Sequence, residues 1–132
     1  MKRSMTREQR AQQLWSILVL SARNRQVWSY EIIGQACGVP PASIGDFLRP
    51  IQQYCSENGL PALTSLVVGK TDGVPGDGFI AAQGVQRAQM EVFEKDWLGE
   101  SAPSAAQFAD AYERAPQRKR RGAGAQIVVS RR

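Results

Sequence analysis

Between Tyr30 and Leu48 the chain reads YEIIGQACGVPPASIGDFL, and the spacing inside this segment leaves few ways to fold it. Gly34 is followed by three residues, then Gly38-Val39, then four residues and Ile44, with Leu48 one helical turn further on. Two helices crossing at a sharp angle need a small residue where their backbones approach. They also need a residue that tolerates positive φ in the turn, and apolar residues that seal the crossing. Gly34, Gly38 and the set Val39, Ile44 and Leu48 supply these in order. The segment therefore predicts helix, turn, helix. Ser29 caps the first helix, Ile33 and Cys37 face inward, and Gly38 ends the helix in the left-handed region. Pro40 and Pro41 fix the turn and open the second helix, which the rigid φ of proline favours at its first position.

The flanking sequence extends this unit. Thr6-Arg7-Glu8-Gln9 has the Thr-x-x-Gln capping-box pattern, and Ala11, Leu14, Trp15, Leu18 and Ala22 recur at helical spacing to about Ser21. Val27-Trp28 reads as a very short strand or as the apolar staple before Ser29. Pro50 predicts a helix break, so PIQQYCSEN is expected to form a separate short helix stopped by Asn58-Gly59. Leu66 to Ile80, with glycines at 69, 73, 76 and 78, predicts a β-hairpin wing. An amphipathic helix is expected from about Ala82 to Leu98 on Val85, Ala88, Val92, Phe93 and Trp97. Pro103-Ser104 opens another helix that carries Phe108 and Tyr112 and ends near Arg114. The expected fold class is mainly α with a small β-hairpin wing: a winged helix-turn-helix with extra C-terminal helices. Residues 1–114 form the domain, and residues 115–132 a basic, flexible tail.

Composition narrows the chemistry. Histidine is absent from the 132 residues, which removes the usual general base, the Cys-His and Ser-His pairs, and any zinc site using imidazole. Glu91, Glu94 and Asp96 are the one acidic cluster, and Lys95 one turn beyond Glu91 makes that a salt-bridged, solvated face. The GDG glycines lack the following Lys-Ser or Lys-Thr of a phosphate cradle. The two cysteines, Cys37 and Cys55, are expected to be reduced and packed. No enzymatic activity, metal or cofactor is expected. The longest apolar run, Ile17 to Leu20, is far below the roughly 20 residues of a membrane span, and no apolar signal region follows MKRSMTREQR. A cytoplasmic location without membrane contact is the expectation.

The net charge of +5 is unevenly spread. Residues 1–10 carry +3, residues 115–132 carry +6, and the body between them carries −4. A phosphate backbone would be drawn to the ends of the chain more than to its body. The second helix of the motif is expected to show Ala42, Ser43, Gly45, Asp46 and Arg49 outward. Only Ser43 and Arg49 can donate there, and Asp46 repels phosphate, so sequence discrimination should be weak. Lys70 and Thr71 stand at the expected wing tip, opposed by Asp72 and Asp77.

The order of features from Tyr30 to about Phe79 resembles the DNA-binding domain of alkylguanine-DNA alkyltransferases and alkyltransferase-like proteins. Tyr30 precedes a helix and Gly38-Val39-Pro40 makes the turn. Ile44-Gly45 with Phe47-Leu48 is similar to the Val-Gly-x-Ala-Leu of that family's recognition helix. Leu66-Val67-Val68, Gly73 and Gly76-Asp77-Gly78-Phe79 are similar to its wing. The family's reactive Pro-Cys-His-Arg would fall near Ala62 to Val67, where this chain reads ALTSLV, so the resemblance implies DNA binding without alkyl transfer. The family's intercalating arginine aligns with Ala42 or Ser43, which places base flipping in doubt.

The resulting expectation is a non-catalytic nucleic-acid-binding protein, a small bacterial or phage accessory or regulatory factor. Its candidate contacts to DNA or RNA are Tyr30, Ser43 and Arg49 in the motif, Lys70 and Thr71 on the wing, and Arg118, Lys119, Arg120 and Arg121 in the tail. The alternative is a protein-interaction or assembly module, or a homodimer, built on the same scaffold. Its interface would use Trp97, Phe93 or the apolar Ile127–Val129, which could add a strand to a sheet edge.

Overall fold

Thr6 starts the first helix as its capping box requires. Its hydroxyl accepts from the Gln9 amide at 3.1 Å, and its own amide donates to the Gln9 side chain at 2.9 Å. A computed structural model describes residues 4–69 and 84–116. Among the described residues the elements run α1 (Arg7–Arg23), β1 (Trp28–Ser29), α2 (Tyr30–Cys37), α3 (Pro41–Glu57), a 3₁₀ turn (Leu63–Leu66), β2 (Val67–Val68), α4 (Val85–Glu94), a second 3₁₀ turn (Trp97–Gly99) and α5 (Ala105–Arg114). The chain is mainly helical, with a small two-stranded sheet.

The core forms where apolar stripes meet. Leu14, Trp15 and Leu18 of α1 join Ile33 of α2, Ile44, Ile51 and Cys55 of α3, and Phe108 of α5. Leu63, Leu66 and Val67 join the same cluster, as do Val92 and Trp97. Trp15 stands in the middle of an aromatic cluster, edge-on to Tyr54 at 5.8 Å and to Trp97 at 5.7 Å, and tilted against Phe108 at 6.1 Å.

Three expectations on the elements need correction. Pro50 does not end a helix: α3 runs through it to Glu57. Proline at that position forfeits one bond to the Asp46 carbonyl, at a cost of about 3 kcal/mol. The buried stripe Ile44, Leu48, Ile51 and Cys55 crosses Pro50 without a break, and burying it offsets that cost. The helix expected over 82–98 is shorter at its far end. It stops at Glu94, and the Trp97 indole N–H donates to the Val92 carbonyl at 2.8 Å, satisfying one of the carbonyls a helix end leaves free. Trp97 is thereby buried in the core. Finally, β2 lies inside the expected wing but pairs in parallel with β1, in register Trp28 to Val67 and Ser29 to Val68. A parallel pair needs a long crossover, and α2 and α3 supply it. The rest of the expected wing, residues 70–80, lies outside the described residues, as does the expected tail beyond Pro116.

Other expectations stand. Ser104 and Gln107 form a second capping box that opens α5, which ends at Arg114. Cys37 and Cys55 are free and buried. No helix among the described residues is long and apolar enough to cross a membrane.

Candidate nucleic-acid interface

The crossing of α2 and α3 is built on the predicted glycines. Gly38 has φ 75°, its amide donates to the Gln35 carbonyl at 3.2 Å, and the Val39 amide reaches back to the Gly34 carbonyl at 3.0 Å. This double closure turns the chain sharply and satisfies the end of α2. At Gly34 an added Cβ would lie 2.9 Å from the Val39 carbonyl oxygen and 3.4 Å from the Pro41 backbone. Arg10 of α1 tightens the same corner by donating to the Cys37 carbonyl at 2.7 Å, placing a cation at the negative end of α2.

Beyond the turn, the first turn of α3 presents small, uncharged side chains. Pro41 and Ala42 are exposed, Ser43 is half-buried, and a Cβ added at Gly45 would meet nothing within 4 Å. Tyr30 is half-buried at the first position of α2. Ala42, Ser43 and Gly45 follow the turn directly, whereas Tyr30 stands at the opposite end of α2.

Arg49 departs from its expected place. It is only 8% exposed, its guanidinium donates to the Pro116 carbonyl, and it sits 5.4 Å from the Tyr112 ring. The reason is α5, which packs along the face of α3 expected to be open. Tyr112 donates its hydroxyl to Asp46 at 2.8 Å, and the Arg7 guanidinium lies over its ring, 3.6 Å from the centroid. The bond to Asp46, reinforced by burial, pushes the Tyr112 hydroxyl above its ordinary pKa. Asp46, expected to repel phosphate, thus has one carboxylate oxygen engaged by tyrosine. Helical spacing on α3 gave no sign of this arrangement; the apolar face of α5, ending in Tyr112, was the available signal.

At the far end of α3, Arg114 donates twice to Glu57, at 2.6 and 2.8 Å. These bonds hold the Glu57 carboxyl at about 2, below the ordinary 4.5. Because the folded state lowers this pKa, the contribution is complete above the unfolded value and is lost as pH falls from about 4.5 toward 2. Glu57→Gln should flatten the dependence of melting temperature on pH in that window, as followed by circular dichroism. The pair is exposed, so the change will be small.

Both cysteines are buried, Cys37 directly before the turn and Cys55 near the end of α3. Burial pushes the Cys55 thiol up to about 12, against an amide bond from Leu63 that lowers it. At pH 8 Cys55 should resist a thiol-reactive dye in the native protein and react only on unfolding, a difference that a Cys37→Ala variant isolates.

Of the remaining candidates, Lys70, Thr71, Arg118, Lys119, Arg120 and Arg121 lie outside the described residues. Phe93, a candidate for the protein interface, packs against the core with Arg25 5.5 Å from its ring. Composition did not foretell which large apolar side chains stay exposed: Leu20 at 61%, Ile32 at 53% and Leu98 at 66%. Compared with known proteins, the chain matches no family model, no curated protein and no solved structure.

Proposed function

We propose that this chain is a non-catalytic nucleic-acid-binding protein of winged-helix type. In this reading the start of α3 approaches duplex DNA, and the basic ends of the chain supply most of the attraction. The observation that carries it is the surface at Ala42, Ser43 and Gly45. The start of the second motif helix carries small, uncharged side chains here, with Ala42 exposed and space around Gly45, behind a turn closed by the left-handed Gly38. Small side chains let a backbone come close, while the only potential base donor there is Ser43, so affinity rests on phosphates and discrimination is weak. Lys70 and Thr71 are assigned to the wing, and Arg118, Lys119, Arg120 and Arg121 to the backbone.

Fluorescence anisotropy of a labelled duplex tests this with two full-length proteins, the natural chain and one carrying Arg118→Gln, Lys119→Gln, Arg120→Gln and Arg121→Gln. The natural chain should bind with a steep salt dependence. The variant should bind about tenfold more weakly, with a logarithmic salt slope reduced by about 0.9 for each phosphate contact removed. Absence of duplex binding at low salt would overturn the reading, and tighter binding of an RNA hairpin would redirect it to RNA.

A protein-partner reading rests on a different observation, the exposure of Leu20, Ile32 and Leu98. Its mark is self-association in sedimentation that is insensitive to salt and accompanied by no affinity for the duplex.

A further inference from the structure

α3 carries one cation, Arg49, and the end of α5 covers it. The side chain is 8% exposed. Its Nε has no hydrogen-bond partner among the described residues, and no carboxylate among them forms an ion pair with it. Its guanidinium donates to the carbonyl of Pro116, two residues beyond the end of α5, and lies 5.4 Å from the Tyr112 ring. Burying a guanidinium with so little compensation costs stability, so Arg49 works against the packing that hides it.

We infer that residues 112–116 are an autoinhibitory cover on α3, which lifts as a unit to release Arg49 to a phosphate backbone approaching that helix. The inference rests on the nucleic-acid reading above and adds a closed state to it. The two halves of α5 are held differently. Phe108 and Ala111 are fully buried, and the Phe108 ring packs at 6.1 Å against both Trp15 and Tyr54, so the first half belongs to the core. Among the described residues, the side-chain hydrogen bonds joining this part of the chain to α3 fall on the second half. They are Tyr112 to Asp46 at 2.8 Å, Arg114 to Glu57 at 2.6 and 2.8 Å, and Arg49 to Pro116. Of its own apolar surface, lifting 112–116 uncovers Ala115 and part of the half-buried Tyr112 ring, a small loss of buried area. The Arg114–Glu57 pair is exposed and holds weakly. What keeps the cover shut is chiefly the bond from Tyr112 to Asp46, with the Arg7 guanidinium over the ring, 3.6 Å from its centroid.

The uncovered surface continues the stripe assigned above to the duplex. Ala42, Gly45 and Arg49 follow at spacings of three and four, so Arg49 shares their side of α3, about 10 Å from Ala42 along the helix axis. Asp46 stands three residues before Arg49 and pairs with it once Tyr112 has left, which reduces the repulsion of phosphate and leaves other guanidinium donors available. Glu57 is about 12 Å further along the axis, beyond the roughly 10 Å over which an exposed charge acts at about 0.1 M salt. A phosphate held by Arg49 exists only in the open state, so an approaching duplex shifts the balance toward it.

Duplex affinity of four full-length proteins tests this: the natural chain, Tyr112→Phe, Arg49→Met and the double variant. Tyr112→Phe removes the latching hydroxyl, keeps the ring and leaves the net charge unchanged. It should bind about fivefold more tightly, the net worth of one hydrogen bond transferred to the open population. In the Arg49→Met background the same change should gain nothing, because the lifted cover has no cation to release. Unchanged or weaker binding by Tyr112→Phe overturns the inference, as does a gain that persists without Arg49. Amide hydrogen exchange gives a second readout that needs no nucleic acid. Tyr112→Phe should speed exchange at 112–115 and leave the Phe108 amide unchanged. Arg49→Met should slow exchange at 112–115, since closing then buries no charge. Faster exchange in Arg49→Met would make Arg49 a plain anchor, and a Phe108 amide that opens with the rest would make α5 one unit. Either result overturns the cover. The expected exchange pattern in a chain that binds no duplex would retain the cover and sink the nucleic-acid reading.

Discussion

Trp15→Ala should lower the unfolding free energy by about 3–5 kcal/mol, the range for removing a buried large aromatic side chain. The indole is 3% exposed and joins elements far apart in sequence. It meets Tyr54 of α3 and Trp97 of the second 3₁₀ turn edge-on and leans on Phe108 of α5. Each such pair adds about 0.5–1.5 kcal/mol beyond the area it buries, so the loss should fall toward the upper end. Trp97 cannot move to fill the space, because its N–H is held by the Val92 carbonyl. Against a typical total of about 5–15 kcal/mol, such a loss threatens folding at 37 °C. Urea unfolding followed by circular dichroism measures it. The midpoint should drop sharply with an unchanged slope, and Trp15→Phe, which keeps a ring in place, should lose less. A shift under 1 kcal/mol for the alanine variant would mean that the cluster is not the centre of the core.

The parts of this fold that could be read from sequence are those fixed within a few residues. Thr6 with Gln9, Ser104 with Gln107, and Gly38 after Cys37 each satisfy backbone groups of their own helix end, so local pattern and final structure agree. Gly34 was legible for a related reason, since the sharp turn only four residues later demands a small residue there. Local rules misled at Pro50, because the penalty of a proline is local while the reward of a continuous buried stripe is tertiary. They misled at Trp97 too, whose helical spacing from Phe93 suggested the same helix. The observed break answers to one side-chain bond to Val92. Arg49 shows the limit most sharply. Its place on the outer face of α3 was right in angle, but α5 arrives on that face from more than fifty residues away, and nothing near Arg49 encodes it. Within the candidate interface, then, the turn and the small residues at the start of α3 were legible. The removal of Arg49 from the surface was not.

Gly34→Ala should destabilise the protein by about 1–3 kcal/mol, the usual penalty for forcing a methyl into a filled space. The sign is the informative part, because alanine in place of glycine inside a helix ordinarily stabilises by about 1 kcal/mol. Here the new Cβ would stand 2.9 Å from the Val39 carbonyl oxygen, a backbone atom that cannot swing aside as a long side chain would. Relief requires moving the turn, and the turn is held by the left-handed Gly38 and by the Val39 amide bonded to Gly34 itself. The α2–α3 crossing must therefore open, carrying the first turn of α3 with it. Gly45→Ala is the matched comparison: it is also helical, but its Cβ would meet nothing within 4 Å, so it should stabilise by up to about 1 kcal/mol. The two variants also separate stability from binding. If the start of α3 lies close against a duplex, Gly45→Ala should raise the melting temperature and yet weaken duplex binding, since the methyl stands where the partner approaches. Gly34→Ala should lower both. A Gly45→Ala protein that is more stable and binds unchanged would remove close approach at α3 from the proposed mode of binding and leave attraction by the basic ends as its whole basis.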